Sequence, residues 1–312
     1  MDPEVAALLP ALEADTRHTL DLLRTDIGQL RRERNERAFP TRGTGPAVRI
    51  QEDRVIDGPG GPLNLHIIVP EHPKAAYLHI HGGGWALGSE KNQDPMLRRI
   101  ATEAGVAVIS VGYRLAPEHP YPAGLDDCIA ASQWVEASTH ILGIDDPEAI
   151  FIGGESAGAN LAVATLLRRR DEFEMPLRGA VLTFGVFSAI YDLPSMREMW
   201  DRELVLSGAI MSHFSEAYAS GRDLRHPYIS PLYADLRGMP PAIYTVGTLD
   251  HLYSDTMLMA EAWEKAGNEC TVQEYVDGFH GFTGHPIGLA RRAHEAINEW
   301  LRLRVAASAR SS

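Results

Sequence analysis

Cysteine is scarce in this chain of 312 residues, which contains only Cys128 and Cys270. Each lies in a segment with periodic apolar residues, so we expect buried free thiols rather than a disulfide framework. Two cysteines without paired spacing also give no zinc signature, and we predict no metal site. A chain of this length can bury one large core without covalent crosslinks.

Positive charge is also in short supply. The chain has 29 Lys and Arg against 42 Asp and Glu, a formal net charge of −13 at pH 7. A nucleic-acid surface requires clustered basic residues. The densest basic run, Arg168–Arg170, closes a predicted helix, where it complements the negative end of the helix dipole. We therefore expect no nucleic-acid partner.

Long apolar runs are missing as well. No stretch reaches the roughly 18 apolar residues that a membrane-spanning helix needs. The first residues, Met1-Asp2-Pro3-Glu4, show neither a basic region nor an apolar run of the kind that begins a signal peptide. The sequence predicts a cytoplasmic protein without a membrane span.

The chain instead contains alternating strand and helix patterns. Residues 48–56 and 63–69 predict a hairpin with a long loop between them. Further strands are predicted at 75–80, 105–111, 149–153, 179–184, 242–246 and 271–276, and helices around 125–135 and at 157–170, 256–266 and 288–305. This alternation indicates an α/β fold with a mostly parallel sheet flanked by helices, formed by residues 1–312 as a single domain.

Two segments do not follow this rhythm. Residues 1–40 are predicted to be helical and strongly polar, and they either pack over the main domain as a lid or form a free tail. Residues 186–236 are an apolar insertion between two core strands. Ligand sites lie at the carboxyl ends of parallel strands, so this insertion is interpreted as a cap over a cleft; an extra packed subdomain is the alternative.

One serine lies in a sequence typical of a catalytic nucleophile. Gly154-Glu155-Ser156-Ala157-Gly158 matches G-x-S-x-G, with a predicted strand before it and a predicted helix after it. A serine on such a sharp turn needs small neighbours, because the backbone turns tightly in a strained conformation. Ser156 is therefore our candidate nucleophile.

Consecutive glycines follow an earlier strand, in His81-Gly82-Gly83-Gly84-Trp85. Backbone N–H groups can stabilise the oxyanion of a tetrahedral intermediate if no side chains block the approach. We predict an oxyanion hole formed by the N–H groups of Gly83, Gly84 and Ala157.

A serine hydroxyl needs a base to become a good nucleophile. His280 lies in a loop just after the last predicted strand, and His285 and His294 are the alternatives. Asp250 follows the preceding strand and can orient the imidazole; Asp255 is the alternative acid. The order Ser156, Asp250, His280 is the one expected for an α/β-hydrolase.

Several blocks together resemble the hormone-sensitive-lipase-like family of α/β-hydrolases, the bacterial family IV esterases. The resemblance covers roughly residues 75–285 and rests on the segments 81–85, 113–123, 154–158, 247–250 and 280–282. It implies a serine carboxylesterase for esters with short or medium acyl chains, without cofactor. It also implies a cap formed by about residues 1–45 and 186–236, a structural role for the block 113–123, and a family in which homodimers occur.

The sequence departs from the family pattern at four positions: Glu155, Ala159, His251 and Ser254. None removes a member of the predicted triad or oxyanion hole, so we expect them to affect substrate preference and local stability. Two other functions stay open. The same triad serves an arylformamidase or other amidase, and some relatives of this fold are small-molecule receptors that have lost a triad member.

Overall fold

A computed structural model of the protein describes residues 1–38, 45–173 and 177–308. Within these ranges eight strands form one sheet in the order β1-β2-β4-β3-β5-β6-β7-β8. The strands are β1 (Ile50–Gly58), β2 (Gly61–Val69), β3 (Ala75–Ile80), β4 (Val106–Gly112), β5 (Ile150–Glu155), β6 (Gly179–Thr183), β7 (Ala242–Leu249) and β8 (Cys270–Phe279). β2 is antiparallel to both of its neighbours, and β3 to β8 are parallel. The predicted mostly parallel sheet is confirmed.

Helices cover both faces of the sheet. The described residues form α1 (Pro3–Thr25), α2 (Ile27–Ala38), α3 (Asp94–Ala104), α4 (Ala123–Leu142), α5 (Ala157–Phe173), α6 (Pro194–Glu198), α7 (Gly208–Ala219), α8 (Tyr253–Lys265) and α9 (Gly288–Ser308). In β3, Leu78 and Ile80 belong to the core beneath α4, α5 and α8, whereas Tyr77 belongs to the core beneath α3 and α9. Burial on both faces explains why the parallel strands are almost continuously apolar.

The structure corrects three details of the sequence prediction. The hairpin does not have a long loop, because β1 and β2 continue to Gly58 and Gly61 and leave only Pro59 and Gly60 between them. Helix α3 was not predicted; it ends at Ala104 and is capped by Gly105, whose φ of 70° suits a left-handed helix cap. The insertion 186–236 is also more regular than expected, since it contains α6 and α7.

The N-terminal helices α1 and α2 pack on the rest of the chain, so a free tail does not describe residues 1–38. Val5 is buried against the aromatic residues at the end of β8. The Thr16 hydroxyl accepts a hydrogen bond from the backbone of Val205 in the insertion at 2.7 Å. Arg31 donates to the carbonyls of Ala86 and Ala116, which flank the glycine loop.

Both cysteines are free thiols, as predicted, but only Cys128 is fully buried and Cys270 is partly exposed. None of the helices in the described ranges has the length and apolar character required to cross a membrane.

Candidate active site

Ser156 lies on a sharp turn between β5 and α5. Its φ is 55°, in the left-handed region that residues with a side chain rarely adopt. The glycines on either side allow the turn to press against β3. A Cβ atom at Gly154 or Gly158 would lie 2.1 or 1.9 Å from the carbonyl oxygen of Ile80. Only glycine fits at these two positions, which is the physical reason for the G-x-S-x-G pattern here.

Ser156, His280 and Asp250 form one continuous hydrogen-bonded chain. His280 Nε2 lies 3.0 Å from Ser156 Oγ. His280 Nδ1 lies 3.0 and 3.1 Å from the two carboxylate oxygens of Asp250. Asp250 is fully buried, and its Oδ1 also accepts the backbone N–H of Leu252 at 2.8 Å. This arrangement can move a proton from the serine to a histidine whose orientation is fixed by the acid.

The register of the last two strands brings the acid and the histidine together. Leu249 of β7 pairs with Phe279 of β8, so Asp250 and His280 leave the sheet as neighbours. Both follow the carboxyl ends of parallel strands, at the same edge as Ser156 after β5. The three residues therefore meet although 124 positions separate Ser156 from His280.

The alternative residues have other partners. His294 Nε2 is hydrogen-bonded to the carbonyl of Thr283 at 2.8 Å. His285 packs edge-on against Phe279, and burial lowers the pKa of its imidazole. Asp255 accepts the backbone N–H groups of Phe187 and Ser188 at 2.9 and 2.8 Å.

Burial raises the pKa of the Asp255 carboxyl to about 7, although these two N–H donors oppose the shift. Its position fixes the loop that follows β6. Asp255 was the alternative acid in the sequence, but its contacts in the structure are those of a residue that holds this loop.

The glycine loop 82–84 leaves three backbone donors available. Gly83 and Gly84 have φ of 121° and 60°. Within the described ranges, no acceptor is seen for the N–H groups of Gly83, Gly84 or Ala157. A Cβ at Gly84 would lie 2.3 Å from the ring of Phe214 on α7, so the insertion packs directly on this loop. Unpaired N–H groups beside a nucleophile suit the stabilisation of an oxyanion.

His81, which precedes the glycines, has a structural position. Its ring stacks on Tyr113 at 4.3 Å, and its Nδ1 contacts the carbonyl of Gly82 at 2.9 Å. Burial lowers the pKa of His81 to about 4, so the ring is neutral at pH 7. The Tyr113 hydroxyl donates to the His81 carbonyl at 3.0 Å. The first residue of the block 113–123 thus supports the glycine loop.

Glu155, one of the departures from the family pattern, is paired beneath the site. Its carboxylate lies 3.1 Å from His79 Nε2 and accepts a hydrogen bond from the Gln93 amide at 2.9 Å. His79 is hydrogen-bonded in turn to Ser110 at 2.9 Å. Burial opposes the charge of Glu155, but His79 and Gln93 outweigh it and lower the pKa of the carboxyl. The glutamate is therefore a charged, satisfied group.

His251 and Ser254, two further departures, join the acid loop to the insertion. The Ser195 hydroxyl donates to the His251 carbonyl at 2.7 Å and accepts the Ser254 N–H at 2.9 Å. The Ser254 hydroxyl accepts the Ser195 N–H at 3.0 Å, and His251 Nε2 donates to the carbonyl of Arg202 at 3.0 Å. This acid-loop cluster, defined as Ser195, Arg202, His251 and Ser254, holds the segment that carries Asp250.

A cavity of about 330 Å³ opens at Ser156 and His280. Its lining includes the glycine loop, Glu155 and Gln93 below, and mainly apolar side chains of the insertion above. Thr19 and Arg34 of the N-terminal helices also line it. Sequence reasoning missed Thr19, Arg34 and Gln93, since none lies in a recognisable motif and the polar pattern around Arg34 is typical of a solvent-exposed face.

Known proteins are similar to this chain over most of its length. Residues 77–284 match the model of a family described as having the alpha/beta hydrolase fold. The chain is 34% identical to esterase LipI of Mycobacterium tuberculosis over 85% of its own length and 84% of that protein. It is 37% identical to carboxylesterase NlhH of the same organism over 78% of each chain. A solved ester hydrolase from the metagenome of Lake Arreo is 28% identical and superposes over 99% of both chains with a TM-score of 0.88.

These matches extend over most of the chain and include the sequence blocks that suggested the family. They confirm the predicted fold class and the resemblance stated from the sequence. The chain belongs to the α/β-hydrolase family and to its hormone-sensitive-lipase-like branch.

Proposed function

We propose that the protein is a serine carboxylesterase in which Ser156 is the nucleophile, His280 the base and Asp250 the acid that orients it. The observation that carries the proposal is the hydrogen-bonded chain from Asp250 through His280 to Ser156 at the floor of a cavity. The esterase and carboxylesterase relatives support the same activity.

The reaction takes place in two acyl-transfer steps. His280 Nε2 accepts the proton of Ser156 Oγ as the oxygen attacks the ester carbonyl, and Asp250 stabilises the imidazolium that forms. The N–H groups of Gly83, Gly84 and Ala157 stabilise the oxyanion. His280 then protonates the leaving alcohol, and the acyl-enzyme remains. Water activated by the same histidine releases the acid.

Short to medium acyl chains fit the proposed cleft. A cavity of about 330 Å³ is at the lower end of the range for small-molecule sites, roughly 300 to 1,000 Å³. We assign the cap to residues 1–45 and 186–236, because side chains from both segments line the cavity. The part of this assignment that falls on residues 39–44 lies outside the described residues.

The decisive experiment measures initial rates on p-nitrophenyl esters from acetate to palmitate. We expect a maximum at short chains for the wild-type protein and loss of turnover in Ser156→Ala. Ser138→Ala is the matched control, since Ser138 is a buried serine on α4 outside the cavity lining. Full activity of Ser156→Ala would contradict the proposal.

The alternative enzymatic hypothesis is an amidase that uses the same triad, and aryl formamides are the substrates that test it. A small-molecule receptor without an activated serine would not react with a fluorophosphonate probe. Labelling that disappears in Ser156→Ala and persists in Ser138→Ala therefore supports an enzyme over a receptor.

A cytoplasmic location and a homodimer stay predictions. Cell fractionation and sedimentation velocity are the measurements that check them.

A further inference from the structure

The roof of the cleft is apolar except at one place. Six lining residues come from the insertion and all are apolar: Val186, Val205, Leu206, Ile210, Met211 and Phe214. The N-terminal helices contribute two more, Thr19 and Arg34, and both are polar. An apolar roof with a single guanidinium and hydroxyl is a typical arrangement for recognising one charged or polar group of a ligand.

Arg34 is only partly occupied by contacts within the protein. Its Nη2 donates to Asp15 Oδ2 at 2.9 Å and to Thr19 Oγ1 at 2.7 Å. Within the described residues, no acceptor is seen for its Nε and Nη1 groups. A guanidinium carries five N–H donors, so Arg34 keeps donors for a ligand. The Thr19 hydroxyl accepts from Arg34 and retains its own proton to donate.

Asp15 does not cancel the positive charge at Arg34. The carboxylate of Asp15 also accepts a hydrogen bond from Arg37, so two guanidinium groups share one carboxylate. Burial opposes the charge of Asp15, but the hydrogen bond from Arg37 and the charge of Arg34 outweigh it and lower the pKa of the carboxyl. Asp15, Arg34 and Arg37 together keep one net positive charge at pH 7.

The carboxylate among the described lining residues, Glu155, lies beneath Ser156. It contacts His79 and accepts a hydrogen bond from Gln93, and the neighbouring His81 is neutral. Among the described residues that line the cavity, Arg34 is the one with a permanent positive charge. An anionic substrate group is thus attracted to one defined place, in a chain whose net charge of −13 repels it elsewhere.

We propose that Arg34 and Thr19 form a carboxylate-binding subsite and that the enzyme prefers esters carrying a second, ionised carboxyl group. Arg34 binds this carboxylate through its unoccupied donors, and the Thr19 hydroxyl adds a hydrogen bond. The subsite rests on the proposed esterase function, because it acts on the substrate of Ser156.

Two matched pairs of esters test the subsite. On the alcohol side, 4-acetoxybenzoate is compared with 4-methylphenyl acetate; on the acyl side, monoethyl glutarate is compared with ethyl pentanoate. In each pair a carboxylate replaces a methyl group of similar size. The measured quantity is the ratio of kcat/KM for the anionic ester to kcat/KM for the neutral one, so differences in intrinsic reactivity cancel between variants.

We expect Arg34→Met to lower this ratio about tenfold for at least one pair, because a charge-assisted hydrogen bond is lost at a site about one third exposed. Arg34→Lys should retain part of the preference. Arg37→Met is the matched control, since Arg37 shares Asp15 but is absent from the cavity lining, and its ratio should stay within about twofold of wild type.

Equal ratios in the wild type and Arg34→Met for both pairs would overturn the subsite. If Arg34→Met does not fold, the wild-type protein still decides: the ratio must fall between about 0.02 M and about 0.5 M NaCl if a charge is recognised. A ratio that does not change with salt overturns the proposal. Absence of Ser156-dependent hydrolysis of all four esters would refute the proposed function and the subsite with it.

Discussion

The substitution Asp250→Asn separates the proposed catalytic acid from a merely structural carboxylate. Asp250 Oδ1 accepts the Leu252 N–H at 2.8 Å, and both carboxylate oxygens face His280 Nδ1. An asparagine that keeps its oxygen on Leu252 presents an NH₂ group to Nδ1. The imidazole must then carry its proton on Nε2, which can no longer accept the proton of Ser156.

The size of the loss follows from the two orientations of the amide. With the oxygen on Leu252, the histidine has the wrong tautomer, and the loss of kcat is about 10⁴-fold. With the oxygen on His280, the tautomer is correct, but the NH₂ group meets the N–H of Leu252. An unsatisfied buried donor costs about 1–3 kcal/mol. This penalty makes the correct tautomer roughly 5 to 150 times rarer, and the neutral amide also stabilises the imidazolium less than a carboxylate does. We therefore expect a loss of kcat between about 10-fold and about 10⁴-fold, with the fold intact.

Asp255→Asn is the matched control, because Asp255 is also a fully buried aspartate and was the alternative acid. Its Oδ1 accepts two backbone N–H groups, and an asparagine oxygen can replace it. We expect kcat to stay within about threefold of wild type, since no contact with the triad is removed.

Asp255→Asn should also change how the free energy of unfolding depends on pH. The pKa of Asp255 rises from 3.8 to about 7 on folding, so the folded state binds more protons between these values. The stability of the wild-type protein should therefore fall as pH rises through this range, on the order of 4 kcal/mol in total. Asp255→Asn removes this contribution and flattens the curve.

The assay measures kcat and KM on p-nitrophenyl butyrate from about pH 6 to about pH 9, and urea unfolding of the wild type and both variants from about pH 4 to about pH 8. Retention of more than a tenth of wild-type kcat by Asp250→Asn would refute the assignment of the acid. A large loss of kcat in folded Asp255→Asn would instead point to Asp255, at the start of α8, as the acid.

Two further predictions concern contacts outside the triad. Ser195→Ala removes two hydrogen bonds from the acid-loop cluster and should lower the free energy of unfolding by about 2 kcal/mol. Ser254→Ala removes one and should lower it by about 1 kcal/mol. Urea denaturation measures both changes. His66 lies between Asp53 and Asp94 at 2.7 and 2.8 Å; burial lowers its pKa, but the two carboxylates raise it more. The stabilisation that protonated His66 gives the fold is complete below pH 6.5 and is lost as pH rises through the raised pKa. The difference in free energy of unfolding between wild type and His66→Gln should therefore narrow from about pH 6 to about pH 9. A constant difference would contradict this.

The proposed triad could be recognised in the sequence because each member is tied to a local pattern. Ser156 lies between two glycines, and the close approach of β3 to the turn requires both of them. Asp250 follows the apolar strand β7, and His280 follows the last strand, β8. The insertion was harder to predict. Its two helices are short, 5 residues in α6 and 12 in α7, and irregular segments separate them. Each helical pattern is therefore brief and is interrupted by loop signals.

Thr19 and Arg34 illustrate a different limit. Helix α2 is strongly polar, and nothing in its sequence distinguishes the face that lines the cavity from the one in solvent. The position of Arg34 depends on long-range contacts, such as the bonds of Arg31 to the carbonyls of Ala86 and Ala116. Contacts between residues more than 50 positions apart leave no periodic signal in a single sequence.

Three of the four departures from the family pattern fall into two groups with different physical meaning. The carboxylate of Glu155, at the end of β5, is paired with His79 and Gln93. We therefore expect this departure to act locally, beneath Ser156. His251 and Ser254 instead bind the acid loop to the insertion through Ser195 and Arg202. We therefore expect a change in the insertion to affect the segment that carries Asp250 as well as the roof of the cleft.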